Sequence, residues 1–122
     1  MTESMRGKRI LVVEDEYLLA DDLRTALQDV GSEVVGPVPD AAGALALIDG
    51  PGRIDAALLD INLSGTPAFS VADALVGRGV PIAFITGYDQ SAIPDRLANV
   101  ARLEKPVGVP SILALLEPLL AG

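Results

Sequence analysis

The stretch DAALLDINL (Asp55–Leu63) places a carboxylate inside a run of alanine, leucine and isoleucine. A charge in such a run is costly unless something pairs with it. What the chain brings to Asp60 therefore decides how the whole sequence is read. The run has the length of a strand, interrupted at its far end by Asp60. ILVVE (Ile10–Glu14) is continuous and β-branched, the pattern of a strand covered on both faces; PIAFIT (Pro81–Thr86) is a further strand and ARLE (Ala101–Glu104) a short one. EVVGPV (Glu33–Val38) is also a strand, but one at a sheet edge, because Pro37 has no N–H for a ladder.

Helical periods fill the gaps. Leu19, Leu23, Ala26, Leu27 and Val30 recur at three- and four-residue steps until Gly31 stops them. Ala41, Leu45 and Ile48 give a short second helix ended by GPG at 50–52, and Val71–Val76 gives a third. Residues 91–98 carry only a weak fourth signal, broken by Pro94 and Asp95. SILALLEPLL is the last helix, opened by Pro110 and Ser111. Strand and helix alternating in this way predict an α/β domain: a parallel sheet with helices on both faces and right-handed crossovers. At 122 residues the chain reads as one domain, 1–122, without repeat, low-complexity segment or linker.

Composition removes whole classes of chemistry. Zero cysteines and zero histidines exclude disulfides, thiolate or imidazole metal sites, cysteine nucleophiles and serine–histidine triads. The core must be aliphatic, since the chain has two Phe, two Tyr and no Trp. A net charge of −8 repels a phosphate backbone, so no nucleic-acid partner is expected. The longest uncharged stretch, Ile61–Ala72, is 12 residues, too short for a membrane span. MTESMRGKRI at the start lacks the apolar segment of a signal peptide, so a cytoplasmic address is expected, with no membrane partner.

In an open parallel sheet, ligands bind beyond the carboxyl ends of the strands. There the first strand delivers Glu14 and Asp15, followed by Glu16; the third delivers Asp60, the fourth Thr86 and the fifth Lys105, followed by Pro106. Each has a plainer reading alone: Asp15 as a helix cap, Thr86-Gly87 as a turn, Lys105 as a surface lysine. Together on one edge they describe a site. Converging carboxylates of Glu14, Asp15 and Asp60 invite a divalent cation, and oxygen-only donors suit Mg²⁺. Beside a cation Asp60 stays ionised and can attack phosphorus to give an aspartyl phosphate. Lys105 and Thr86 then supply a positive charge and a hydroxyl to the phosphoryl oxygens, and Gly87 leaves space.

With these residues in place the sequence resembles the receiver domain of two-component response regulators, over about residues 8–120. The matched features are the acidic pair Glu14-Asp15, the acceptor strand LLDINL around Asp60, strand-end Thr86 and the pair Lys105-Pro106. The resemblance implies a flavodoxin-like (βα)₅ fold with strand order 2-1-3-4-5 and a Lys105–Pro106 peptide bond that is cis. It implies Asp60 phosphorylated from a sensor histidine kinase, with Mg²⁺ held by Asp15, Asp60 and the backbone carbonyl of Asn62, and by Glu14 through water. PIAFITGYD resembles the signature of the FATGUY subgroup of single-domain receivers, with Ile85 and Asp89 departing from it. That subgroup implies a kinase of the HWE or a related type and a weak or mobile segment in place of a fourth helix.

Arg102 stands where receivers usually carry an inward-turning aromatic, so the switch is expected to fall to Thr86, Gly87, Tyr88 and Arg102 itself. Two other readings use similar parts. A haloacid-dehalogenase-like phosphatase would put its nucleophile on the first strand and an acid two residues on, whereas Asp60 is on the third strand and is followed by Asn62. A flavin module would need a strand-one loop rich in Ser, Thr or Gly. With no output domain expected after the last helix, output falls to protein–protein contacts of the 87–120 face: a shuttle, a phosphate sink, an inhibitor, or a homodimer.

Overall fold

Three strands are buried along almost their whole length: β1 (Arg9–Val13), β3 (Ala56–Asp60) and one over Ile82–Thr86, here β6. They form the centre of the molecule in the computed structural model, which describes residues 3–63, 66–87 and 93–121. β2 (Glu33–Val38) and β7 (Ala101–Glu104) complete a five-stranded parallel sheet of order β2-β1-β3-β6-β7. Counting the strands of this sheet alone, that is the flavodoxin-like order 2-1-3-4-5. The helices are α1 (Tyr17–Asp29), α2 (Ala41–Asp49), α3 (Phe69–Gly77) and α4 (Val109–Ala121).

Side chains alternate across a strand, and the aliphatic runs feed two layers at once. Leu11, Val13, Leu59 and Phe84 face α2 and α3, where Ile48 and Leu75 meet them. Ile10, Val12, Leu58 and Ile85 face the other way, onto Leu23 and Leu27 of α1 and Ile112 and Leu116 of α4. This is why the strands carry no polar alternation: neither face reaches water.

β2 lies at the edge, as its proline requires. Its register with β1 shifts between Leu11 and Val13, opposite Gly36, which holds a φ of +93°. A Cβ there would sit 2.9 Å from the Val38 nitrogen, so the bulge is open only to glycine. The Gly36–Pro37 and Lys105–Pro106 peptide bonds are both cis.

Some boundaries differ from expectation, each for a local reason. β1 stops at Val13, although the Glu14 N–H still donates to the Val38 carbonyl at 3.0 Å. The segment 55–63 is not one strand. The Asn62 N–H turns back to Asp60 Oδ1 at 3.0 Å, a local bond that competes with the ladder. The chain then leaves the sheet, and β4 (Asn62–Leu63) pairs antiparallel with β5 (Thr66–Pro67). Where a fourth crossover helix would stand, residues 93–100 form one 3₁₀ turn, Asp95–Leu97, pinned by the buried Leu97.

The largest surprise is at the start. A 3₁₀ turn, Glu3–Met5, precedes β1 and inserts Met5, fully buried, into the layer shared by α1 and α4. The buried Ser32 hydroxyl donates to the Met5 carbonyl at 2.6 Å and holds the turn in place. The packed core therefore begins ahead of residue 8. Among the described residues, no helix is long and apolar enough to cross a membrane.

Candidate functional site

The four buried polar residues of the described chain are Glu14, Ser32, Asp60 and Thr86. Three of them stand at one edge of the sheet, just beyond or at the ends of β1, β3 and β6. Burial of polar groups is expensive, so their concentration marks the site. An open cleft of about 770 Å³ lies over them, lined among others by Asp15, Glu16, Asp60, Asn62, Gly87 and Lys105.

Lys105 organises this edge. Its backbone N–H continues the ladder to the Thr86 carbonyl at 2.7 Å, which fixes where the side chain starts. Its ammonium reaches Asp60 Oδ2 at 2.9 Å and Glu14 Oε2 at 3.3 Å, and it also bonds Glu16 Oε1. An ammonium has three donors, and here three carboxylates take them. Burial alone would lower the Lys105 pKa, but the hydrogen bonds to Glu16 and Asp60 prevail and hold it above the ordinary lysine range.

Glu14 is the mirror case. Its side chain is shut off from solvent, one oxygen accepting from the Glu16 N–H at 2.9 Å, while Oε1 has no hydrogen-bond partner. Burial pushes its carboxyl up to about 7, with the Asp60 charge adding to the rise and the Glu16 N–H and Lys105 opposing it. In the metal-free protein this has a sign. Glu14 titrates at 4.5 when unperturbed and at about 7 when folded, so between those values the folded state holds the extra proton. Stability is expected to fall as pH rises through that window, by on the order of 1–3 kcal/mol. Thermal melts in EDTA from pH 5 to 8 should show the decline, and Glu14→Gln, which has no proton to lose, should flatten it.

The ligand atoms of Glu14, Asp15 and Asp60 all lie within 4.8 Å of one another. A buried carboxylate oxygen without a donor, in a set containing only oxygens, fits a hard divalent cation. Asp15 is not the helix cap. That position is Glu16, and its side chain makes no capping bond because it is turned onto Lys105.

Two expected residues stand apart from the cluster. The Thr86 hydroxyl, though buried, donates to the Gly87 carbonyl at 3.1 Å and not to Asp60. Among the described residues a Cβ at Gly87 would meet nothing within 4 Å, so the space above Asp60 is open there. Arg102 lies on β7, and its guanidinium donates to the Ala98 carbonyl at 2.7 Å, tying the 3₁₀ turn to the sheet. Arg96 in that turn grips Asp73 of α3 through two bonds of 2.9 Å. Tyr88 lies outside the described residues. The residue that sequence reasoning passed over is Glu16; the only signal was a third acid in the run Glu14–Glu16.

Residues 10–117 match the family model described as the response regulator receiver domain. The chain belongs to the response regulator receiver family. Transcriptional regulatory protein TcrA of Mycobacterium tuberculosis is 36% identical to this receiver over 120 residues, which cover 93% of this chain and 46% of TcrA. The phyllosphere-induced regulator PhyR of Methylorubrum extorquens is 30% identical over 113 residues, 86% of this chain and 42% of PhyR. The chain spans about half the length of the curated relatives it matches. The solution structure of SdrG from Sphingomonas melonis Fr1 superposes on the receiver with a TM-score of 0.80 at 38% identity, covering 93% of this chain and 97% of SdrG.

Proposed function

We propose that this receiver accepts a phosphoryl group on Asp60 from a sensor histidine kinase and passes the signal on through protein contacts. The observation that carries the reading is the Lys105–Asp60 pair at 2.9 Å, set beside the buried Glu14 oxygen that has no donor. A lysine aimed at the acceptor and a buried carboxylate oxygen with no hydrogen-bond donor are the two halves of a phosphoryl-transfer site.

In the proposed reaction an Asp60 oxygen forms the bond to phosphorus. The bond from phosphorus to the kinase imidazole nitrogen breaks, and its electron pair leaves with the imidazole. Lys105 places positive charge on a phosphoryl oxygen. The Thr86 hydroxyl turns from the Gly87 carbonyl to a second oxygen. Bound Mg²⁺ would neutralise charge on the phosphoryl group; Asp15, Asp60 and the carbonyl of Asn62 would hold it, with Glu14 acting through water. Asn62, two residues after the acceptor, cannot serve as a general acid, which favours a lasting phospho-aspartate over fast turnover.

The sequence PIAFITGYD supports placement in the FATGUY subgroup, and with it a kinase of the HWE or a related type. The 87–120 face is the proposed output surface: it includes Gly87, whose carbonyl accepts the Thr86 hydroxyl, and the turn held by Arg102 and Arg96. The reading is tested by incubating the protein with acetyl phosphate and Mg²⁺ and measuring intact mass. One added phosphoryl group, lost on mild alkaline hydrolysis, is expected; an unmodified mass would overturn the proposal. Phosphotransfer profiling against purified histidine kinases then identifies the donor.

A further inference from the structure

We infer that Glu16 governs how readily Asp60 is phosphorylated, acting as a positioning residue through Lys105. The inference rests on Asp60 being the acceptor. In the resting protein all three donors of the Lys105 ammonium are taken, by Asp60, Glu14 and Glu16. A phosphoryl oxygen arriving on Asp60 needs one of them, so one carboxylate must let go.

Burial decides which. Asp60 is the acceptor and remains in place. The Glu14 side chain is fully enclosed, and the oxygen that meets Lys105 is also fastened to the Glu16 N–H. The Glu16 side chain is 60% exposed and can swing into water at little cost. It is the displaceable partner, and it lines the same cleft as Asp60. Its charge acts in the same direction as its bond. An exposed carboxylate lining the cleft repels an anionic phosphodonor, and its grip keeps Lys105 from the oxygen that the ammonium must neutralise. Glu16 gives up a capping role at the start of α1 to do this.

The transfer itself is unchanged: the Asp60 oxygen bonds to phosphorus and the leaving group departs with the electron pair. Only the availability of Lys105 differs. Glu16→Gln is therefore expected to raise the labelling rate by about three- to tenfold with acetyl phosphate, a change of the size that electrostatic steering and one released ion pair allow. The gain should be smaller with phosphoramidate, which carries less negative charge, and should shrink in high salt. Beryllofluoride, which mimics the phosphoryl group, should bind Glu16→Gln more tightly.

A readout independent of labelling is available because Lys8 and Lys105 are the only lysines. With ¹⁵N-lysine, the Lys105 ammonium resonance should shift in Glu16→Gln while that of Lys8 stays put. Melting temperature should hardly move, given the exposure of Glu16. A rate within twofold of wild type for both donors, or a Lys105 resonance that does not move, would overturn the role of Glu16. Wild-type protein that takes no label at all would overturn the acceptor reading and this inference with it, whereas labelled wild type beside an indifferent Glu16→Gln would overturn this inference alone.

Discussion

Asp60→Asn is expected to take no phosphoryl label under conditions that label the wild type completely. An amide oxygen is a poor nucleophile and carries no charge to hold a cation, so both requirements fail at once. The variant should still fold. Its amide oxygen can accept the Asn62 N–H that Asp60 Oδ1 accepts now, and Lys105 retains Glu14 and Glu16. One negative charge also leaves a cluster whose ligand atoms lie within 4.8 Å of one another. The lost pairing to Lys105 and the relieved repulsion oppose each other, and the melting temperature is expected to stay within a few degrees of wild type. Intact mass after acetyl phosphate treatment, beside a circular dichroism melt, checks both points. Undiminished label in a folded Asp60→Asn would move the acceptor elsewhere.

Removing Mg²⁺ is expected to have an effect of the same size: labelling should cease in EDTA and return when the ion is added back. Without it, a phosphodonor meets the carboxylates of Asp15, Glu16 and Asp60 in one cleft, with Lys105 as the only cation among the six lining residues named above. The carboxylates should also respond unequally. Asp15→Asn takes away a direct ligand and should weaken Mg²⁺ binding more than Glu14→Gln, which acts through water and should cost about tenfold. Amide shifts of residues 14–16 and 60–62 during a Mg²⁺ titration would measure both affinities. Equal affinity in Asp15→Asn and wild type would remove Asp15 from the ligand set.

The sheet and its edge were legible because they follow from long, strongly periodic signals. Continuous runs such as Ile10–Val13 and Ile82–Ile85 can satisfy two apolar layers only in the middle of a parallel sheet. Pro37 placed its strand at the edge. Strand ends alone pointed to Asp15, Asp60 and Lys105, which do line the cleft, but not to Glu16 or Asn62. The reading of 55–63 as one strand failed because a single local bond, from the Asn62 N–H to Asp60, outweighs β propensity. Thr86 was read by its position, but the direction of its hydroxyl depends on a neighbouring carbonyl that no pattern reveals. Glu16 stood only as a third acid after the strand, and the path of Lys105 across the cleft is what distinguishes it. Met5 was invisible because one apolar residue in a polar leader has no period.

The burial of Met5 bears on the order in which the molecule is made. Its partners in the layer, Ile112 and Leu116, lie at the far end of the domain and are synthesised long after Met5. A ribosome must therefore translate beyond α4 before the side of the sheet under α1 and α4 can be closed. Until then Ile10, Val12 and Leu58 have only α1 to cover them, whereas α2 and α3 emerge early enough to shield the opposite side. Contacts so distant in sequence form late and slowly. The nascent protein passes through a half-covered stage, with one aliphatic face open to chaperones or to neighbouring chains.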